Sequence, residues 1–223
     1  GHFDTSWHSG PGPDGKGGRG MIYFDNAATT YPKPPQVIRA VDEAMRKYGA
    51  NPGRAGHTMS METAEELYRC RTAVAEFFHA PGPECVVFTL NCTQAINFVL
   101  KGVLKSGDHV VTSNLEHNAV MRPLVQLTKQ GVTFDRIPCD HEGNLLLEKT
   151  EALIKPNTRL LVCLHASNVC GTIMPLHEIS AFCQRHGLLF ILDSAQTAGV
   201  FPVDMEELKK RIHDDSNGLD YVL

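Results

Sequence analysis

Between residues 85 and 192 the chain alternates apolar runs of strand length with longer segments of helical period, and nothing else in it restricts the fold as strongly. The apolar runs cover residues 85–90, 109–112, 133–137, 160–164 and 188–192. The segments between them, 94–104, 119–130, 147–154 and 177–186, are each long enough to carry the chain back from the end of one strand to the start of the next. Strands joined in this way run parallel. A parallel sheet is covered on both faces, so its strands read as continuous hydrophobic runs. The expected fold class is therefore α/β, a mainly parallel sheet with helices on both faces. With 42% hydrophobic residues in 223, there is enough apolar surface for one sizeable core. No repeat of fixed period is present, which sets a solenoid aside.

The flanks are less regular. Residues 1–20 are rich in Gly, Pro, Ser and Asp and lack an apolar period, so they read as a flexible leader, with the domain expected over 21–223. A polar loop, Asp25-Asn26-Ala27-Ala28-Thr29-Thr30, leads to prolines that open a helix over 36–48. A glycine-rich loop over 51–57 follows, and Ser60 with Thr63 offers capping for an amphipathic helix. That helix carries Leu67, Arg71, Val74 and Phe78 at three- and four-residue spacing. After residue 192 come a helix over 205–211, a polar loop over 213–218 and a strand starting at Leu219. The expectation is an N-terminal fragment whose large domain continues beyond Leu223.

Composition narrows the function classes. A net charge of -4 and a pI near 6.3 give no basic footprint beyond Lys209-Lys210-Arg211, so nucleic acid is not an expected partner. The apolar runs are too short for a membrane span and no signal segment opens the chain, which points to a cytoplasmic protein. Seven cysteines without a Cys-x-x-Cys pair read as reduced thiols, and the histidines lack metal-ligand spacing, so no metal site is expected. A dinucleotide dehydrogenase would need a Gly-x-Gly-x-x-Gly turn that is missing.

Four turns that follow strands carry the chemistry. Asp193 ends the apolar run 188–192 and is followed by Gln196, the arrangement in which an acid at a strand's carboxyl end can keep a heteroaromatic nitrogen protonated. An Asp there is also a common turn former or helix cap. Asn91-Cys92-Thr93-Gln94 opens a helix whose N-terminus is an anion site, or for which Thr93 is merely the N-cap. His117, after 109–112, is placed to lie over an aromatic ring, or to be a surface or cap residue. Asn168, after 160–164, has an amide for a phenolic oxygen, or makes an Asx-turn before Gly171.

Taken in order, Asp25-Asn26-Ala27-Ala28-Thr29-Thr30, Arg54-x-x-His57, Glu116-His117, Ser167-Asn168-x-x-Gly171-Thr172 and Asp193-x-Ala195-Gln196 resemble the class V aminotransferase and cysteine desulfurase family. The resemblance spans about residues 21 to 223 and implies the large domain of a fold-type I enzyme dependent on pyridoxal 5'-phosphate (PLP). It implies that Cys92 and Thr93 hold the cofactor phosphate, although Asn91 and Cys92 depart from the commoner Gly-Thr-Thr or Gly-Ala-Thr form. It further implies that His117 stacks on the pyridine ring, that Asn168 and Gln196 serve its phenolic oxygen, and that Asp193 faces its nitrogen. Asn26, Ala27, Arg54 and His57 would line the substrate mouth, partly across a homodimer.

The activity so implied is a cysteine desulfurase or selenocysteine lyase, turning L-cysteine into alanine and passing sulfur through a persulfide to an acceptor protein. Two alternatives are a class V aminotransferase for another amino acid and a PLP-binding module without turnover. The family's Schiff-base lysine and persulfide cysteine fall outside the motifs of this chain. Lys209, Lys210, Cys92 and Cys170 do not take their places, because their order along the chain is wrong.

Overall fold

The structure is a computed structural model and describes residues 23–53, 56–209 and 219–223. The chain divides into two compact units, Gly1–Asp42 and Glu43–Leu223. In the first, a turn is closed by Ala28 N–H on Asp25 O at 3.4 Å, and Tyr31 N–H donates to Asn26 Oδ1 at 3.0 Å. Helix α1 (Pro35–Lys47) begins there on its proline, whose missing N–H costs nothing at a first helical position. None of its residues is buried.

The second unit is the expected parallel sheet. Strands β1 (His109–Ser113), β2 (Thr133–Ile137), β3 (Thr158–Leu164), β4 (Leu189–Asp193) and β5 (Leu219–Val222) lie in the order β2-β1-β3-β4-β5, every pair parallel. Side chains alternate between two cores with the period of two that a strand imposes. Val110, Leu160, Val162 and Ile191 face one core, shared with Ile96 and Leu100 of α3 (Cys92–Val103) and Val120 and Leu124 of α4 (Asn118–Thr128). Val111, Leu161, Cys163, Phe190 and Leu192 face the other, shared with Ile179 and Phe182 of α5 (Leu176–His186) and Leu208 of α6 (Met205–Lys209). Both faces are covered. Because all strands point the same way, their carboxyl ends form one edge, and β1 and β3 separate there at the point where the crossovers leave in opposite directions.

Three local expectations fail, each for a physical reason. Residues 85–90 form no strand: a 3-10 turn (Pro83–Cys85) precedes an extended stretch in which Val87 is 74% and Leu90 87% exposed. Residues 147–154 are two 3-10 turns, Leu147–Lys149 and Glu151–Leu153, because eight residues give little return on helix nucleation. Helix α2 (Thr58–Phe78) is capped by His57, whose Nδ1 accepts Ser60 N–H at 3.3 Å. Ser60 Oγ donates instead to Asn51 O at 2.7 Å, and Thr63 Oγ1 to Met59 O at 2.9 Å.

Candidate functional site

Each candidate from the turns after β1, β3 and β4 lies at the carboxyl edge of the sheet. Asp193 is the last residue of β4 and is 6% exposed. Its Oδ1 accepts Ala195 N–H at 3.0 Å and the Cys92 thiol at 3.3 Å. The second contact joins residues 101 apart in sequence and places the start of α3 against the end of β4. The residue after Asp193 is pinned as well: Ser194 donates its N–H and its Oγ–H to Leu223 O at 2.7 and 2.8 Å, just past β5. The acid thus has two donors, and the backbone that follows it is anchored to Leu223.

Cys92 is the first residue of α3, and burial first, then the Asp193 charge, pushes its thiol up to about 12. It stays protonated and donates. The N-cap of α3 is Asn91, whose Oδ1 accepts Gln94 N–H at 2.9 Å, so Thr93 is released from capping and is exposed in the first turn. At a helix start the first N–H groups have no intrahelical acceptor and carry partial positive charge, which suits an anion.

His117 caps α4: its Nδ1 accepts Ala119 N–H at 3.1 Å, which puts the ring proton on Nε2 and leaves the residue exposed. The cap is real, and it fixes the ring. In the turn after β3, Ser167 does the work expected of Asn168. Its Oγ accepts Val169 N–H at 3.2 Å and Cys170 N–H at 3.3 Å, and its carbonyl accepts Gly171 N–H at 2.9 Å. Asn168 is exposed beside them, and Gln196 is half-buried beyond Asp193. Asn26 and Ala27 are exposed in the first unit, His57 caps α2, and Arg54 lies outside the described residues. Lys209 lines an apolar groove of about 660 Å3 with Phe78, Met205 and Tyr221, and Lys210 also lies outside the described residues.

Two residues at this edge carry no assignment from the sequence. Glu116, next to His117, accepts Ser113 Oγ–H at 2.5 Å and Leu164 N–H at 3.1 Å on Oε1, while its buried Oε2 has no partner among the described residues. Burial raises its carboxyl to about 8 against the lowering effect of these bonds. His165, 5% exposed, has a buried Nδ1 without a partner among the described residues, and burial holds its imidazole below the ordinary histidine range. Only the Glu116-His117 pair hinted at either one in the sequence.

The edge therefore offers a buried carboxylate beside a helix start, exposed amide and imidazole groups, and an unsatisfied imidazole nitrogen. The family model for class-V aminotransferases matches residues 22–210. The chain belongs to the class-V aminotransferase family. Its members are PLP-dependent, and the site fits that group: Asp193 already receives a neutral donor where a pyridinium N–H would donate, and the α3 start suits a phosphate. A protein of Halalkalibacterium halodurans named "Probable cysteine desulfurase" is 34% identical over 196 residues, covering 86% of this chain and 48% of that protein. Among solved structures, the apo structure of a cysteine desulfurase from Thermococcus onnurineus NA1 superposes with a TM-score of 0.77 at 36% identity, over 84% of this chain and 47% of that one. SspA in complex with cysteine gives 0.77 at 26% identity, over 84% and 54%. The chain spans about half the length of these family members, and the likeness confirms the fold-type I α/β architecture.

Proposed function

We propose that this chain is the cofactor-holding part of a cysteine desulfurase that takes sulfur from L-cysteine and leaves alanine. The observation that carries the reading is Asp193: a buried acid at the end of β4 that accepts the backbone N–H of Ala195 and meets a donor from the start of α3. PLP, when bound, supplies an electron sink for charge developing at the amino acid's α-carbon. Asp193 would keep the proton on the pyridine nitrogen. Thr93 and the amides of the first turn of α3 would take the phosphate, with Cys92 between them and the acid. His117, its tautomer fixed by capping, would lie on the ring, and Asn168 and Gln196 would serve the phenolic oxygen. Asn26, Ala27, Arg54 and His57 would form the substrate mouth.

The desulfurase reading over other class V activities is supported by the named relatives and by the neighbour solved with cysteine. A homodimer and a sulfur-acceptor protein complete the proposal, as does a cytoplasmic location, which the seven free thiols support. The decisive experiment supplies the whole protein with PLP and L-cysteine and measures alanine and sulfide. Equal alanine from wild type and Asp193→Ala would sink the role of Asp193. Transfer of the amino group with no sulfur released would make the protein an aminotransferase, and tight PLP binding without either product would make it a binding module.

A further inference from the structure

The crevice between β1 and β3 is where an open parallel sheet presents ligands, and one side chain crosses it. Glu116 leaves the turn after β1, and its Oε1 accepts from both sides of the split: Ser113 Oγ–H at the end of β1 and Leu164 N–H at the end of β3, 48 residues away. Ser113 Oγ in turn accepts Leu115 N–H at 3.2 Å, so the whole turn from Ser113 to Glu116 is tied down. The next residue is His117, which starts α4. Nothing in the proposed chemistry uses this carboxyl.

We propose that Glu116 is a positioning residue of the cofactor site, its carboxyl bridging the ends of β1 and β3 and so fixing the turn that presents His117. The inference rests on the PLP reading of the edge only for what His117 touches. The bridge itself stands on the hydrogen bonds. A second observation sets its protonation. Oε2 is buried with no partner among the described residues, and an ionised carboxylate with one bare buried oxygen is costly. Among the described residues, the titratable groups that bear on it bring no cation: Asp193 from β4, and the thiols of Cys163 from β3 and Cys139 after β2. Glu116 is therefore a neutral acid in the folded chain up to about pH 8, where burial places its titration. Its two accepted bonds survive in that form.

The test uses the chain of residues 1–223 with Glu116→Gln and Glu116→Ala, reading the His117 C2–H resonance by NMR, assigned by its loss in His117→Gln, and non-covalent PLP affinity by fluorescence. In wild type the His117 signal has an inflection near pH 8 from the neighbouring carboxyl. Glu116→Gln keeps the Oε1 acceptor, so it holds PLP affinity within about threefold but loses that inflection; Glu116→Ala weakens PLP by about tenfold or more and shifts the His117 signal at every pH. An inflection that persists in Glu116→Gln overturns the proposal, as does a folded Glu116→Ala with wild-type signal and affinity. Should Glu116→Ala fail to fold, Glu116→Asp, one methylene too short to reach both Ser113 and Leu164, takes its place with the same expected loss and the same overturning result. If even wild type binds no PLP, the cofactor reading fails while the His117 signal still decides whether Glu116 positions the turn.

Discussion

The two edges of one sheet treat their acids in opposite ways. On β2, Asp135 meets Lys155 at 2.6 Å and the fully buried His109 at 3.2 Å, and Lys155 first among these holds its carboxyl below the usual range. His109 itself is tied to Thr158, the first residue of β3, at 2.8 Å. At the carboxyl edge, the partners of Glu116 and Asp193 among the described residues are Ser113, Leu164, Cys92 and Ala195, and none of these is a cation. A compensated acid ties strands together. Acids with only neutral donors leave room for a charge to arrive, which is the electrostatic signature of a site rather than of a brace.

The largest test of that contrast is Asp193→Ala. It should weaken PLP binding by about a hundredfold, since a charge-assisted bond to a buried acid is lost, and titration of the chain by PLP fluorescence measures it. The same variant removes one of the causes that raise the Cys92 thiol, so alkylation of Cys92 by iodoacetamide should begin at lower pH than in wild type. Glu116→Gln comes next. Because the folded Glu116 carboxyl titrates above its unfolded value of 4.5, the folded chain binds the extra proton, and its contribution to stability is complete below 4.5 and lost as pH rises through about 8. Urea unfolding between pH 5 and 9 should show wild type losing on the order of a few kcal/mol relative to the glutamine variant across that window. Identical slopes would mean that Glu116 is ionised throughout.

Cys92→Ala should change PLP affinity by less than about tenfold, because the thiol only stands in for the ring's donor while the backbone of the α3 start is untouched. The smallest effect belongs to the other edge. Lys155→Ala should cost about 0.5 kcal/mol in urea unfolding at neutral pH, because the pair is part exposed. The Asp135 contribution has the reverse slope to that of Glu116: it is present above the ordinary aspartate value of 3.8 and is lost as pH falls. Matching slopes at the two edges would erase the distinction between them.

Strands β1, β3 and β4 were legible because strands buried on both faces leave unbroken apolar runs, as in Leu160 to Leu164 and Phe190 to Leu192. Residues 85–90 have the same look. Among the described residues no backbone pairs with them, which no local pattern reports, and Val87 and Leu90 are exposed. The candidates Asp193, His117, Asn168 and Gln196 were legible for a topological reason, since parallel strands bring the residues after them to one edge. Glu116 and the donor role of Cys92 were not. Their partners are 48 and 101 residues distant, and a hydrogen bond across that span is set by packing rather than by spacing.

The strand order carries a consequence for how the edge comes into being. No neighbouring strands are joined by a hairpin, so every pairing from β2 to β5 must wait for a long loop to close. Folding of this kind is slow, and a half-assembled chain has strands without sheet. In such a chain Glu116 is an ordinary solvated acid, ionised at neutral pH. Completing the sheet makes it take up a proton, so the final closure of β1 against β3 should register as proton uptake in an unbuffered refolding experiment at neutral pH.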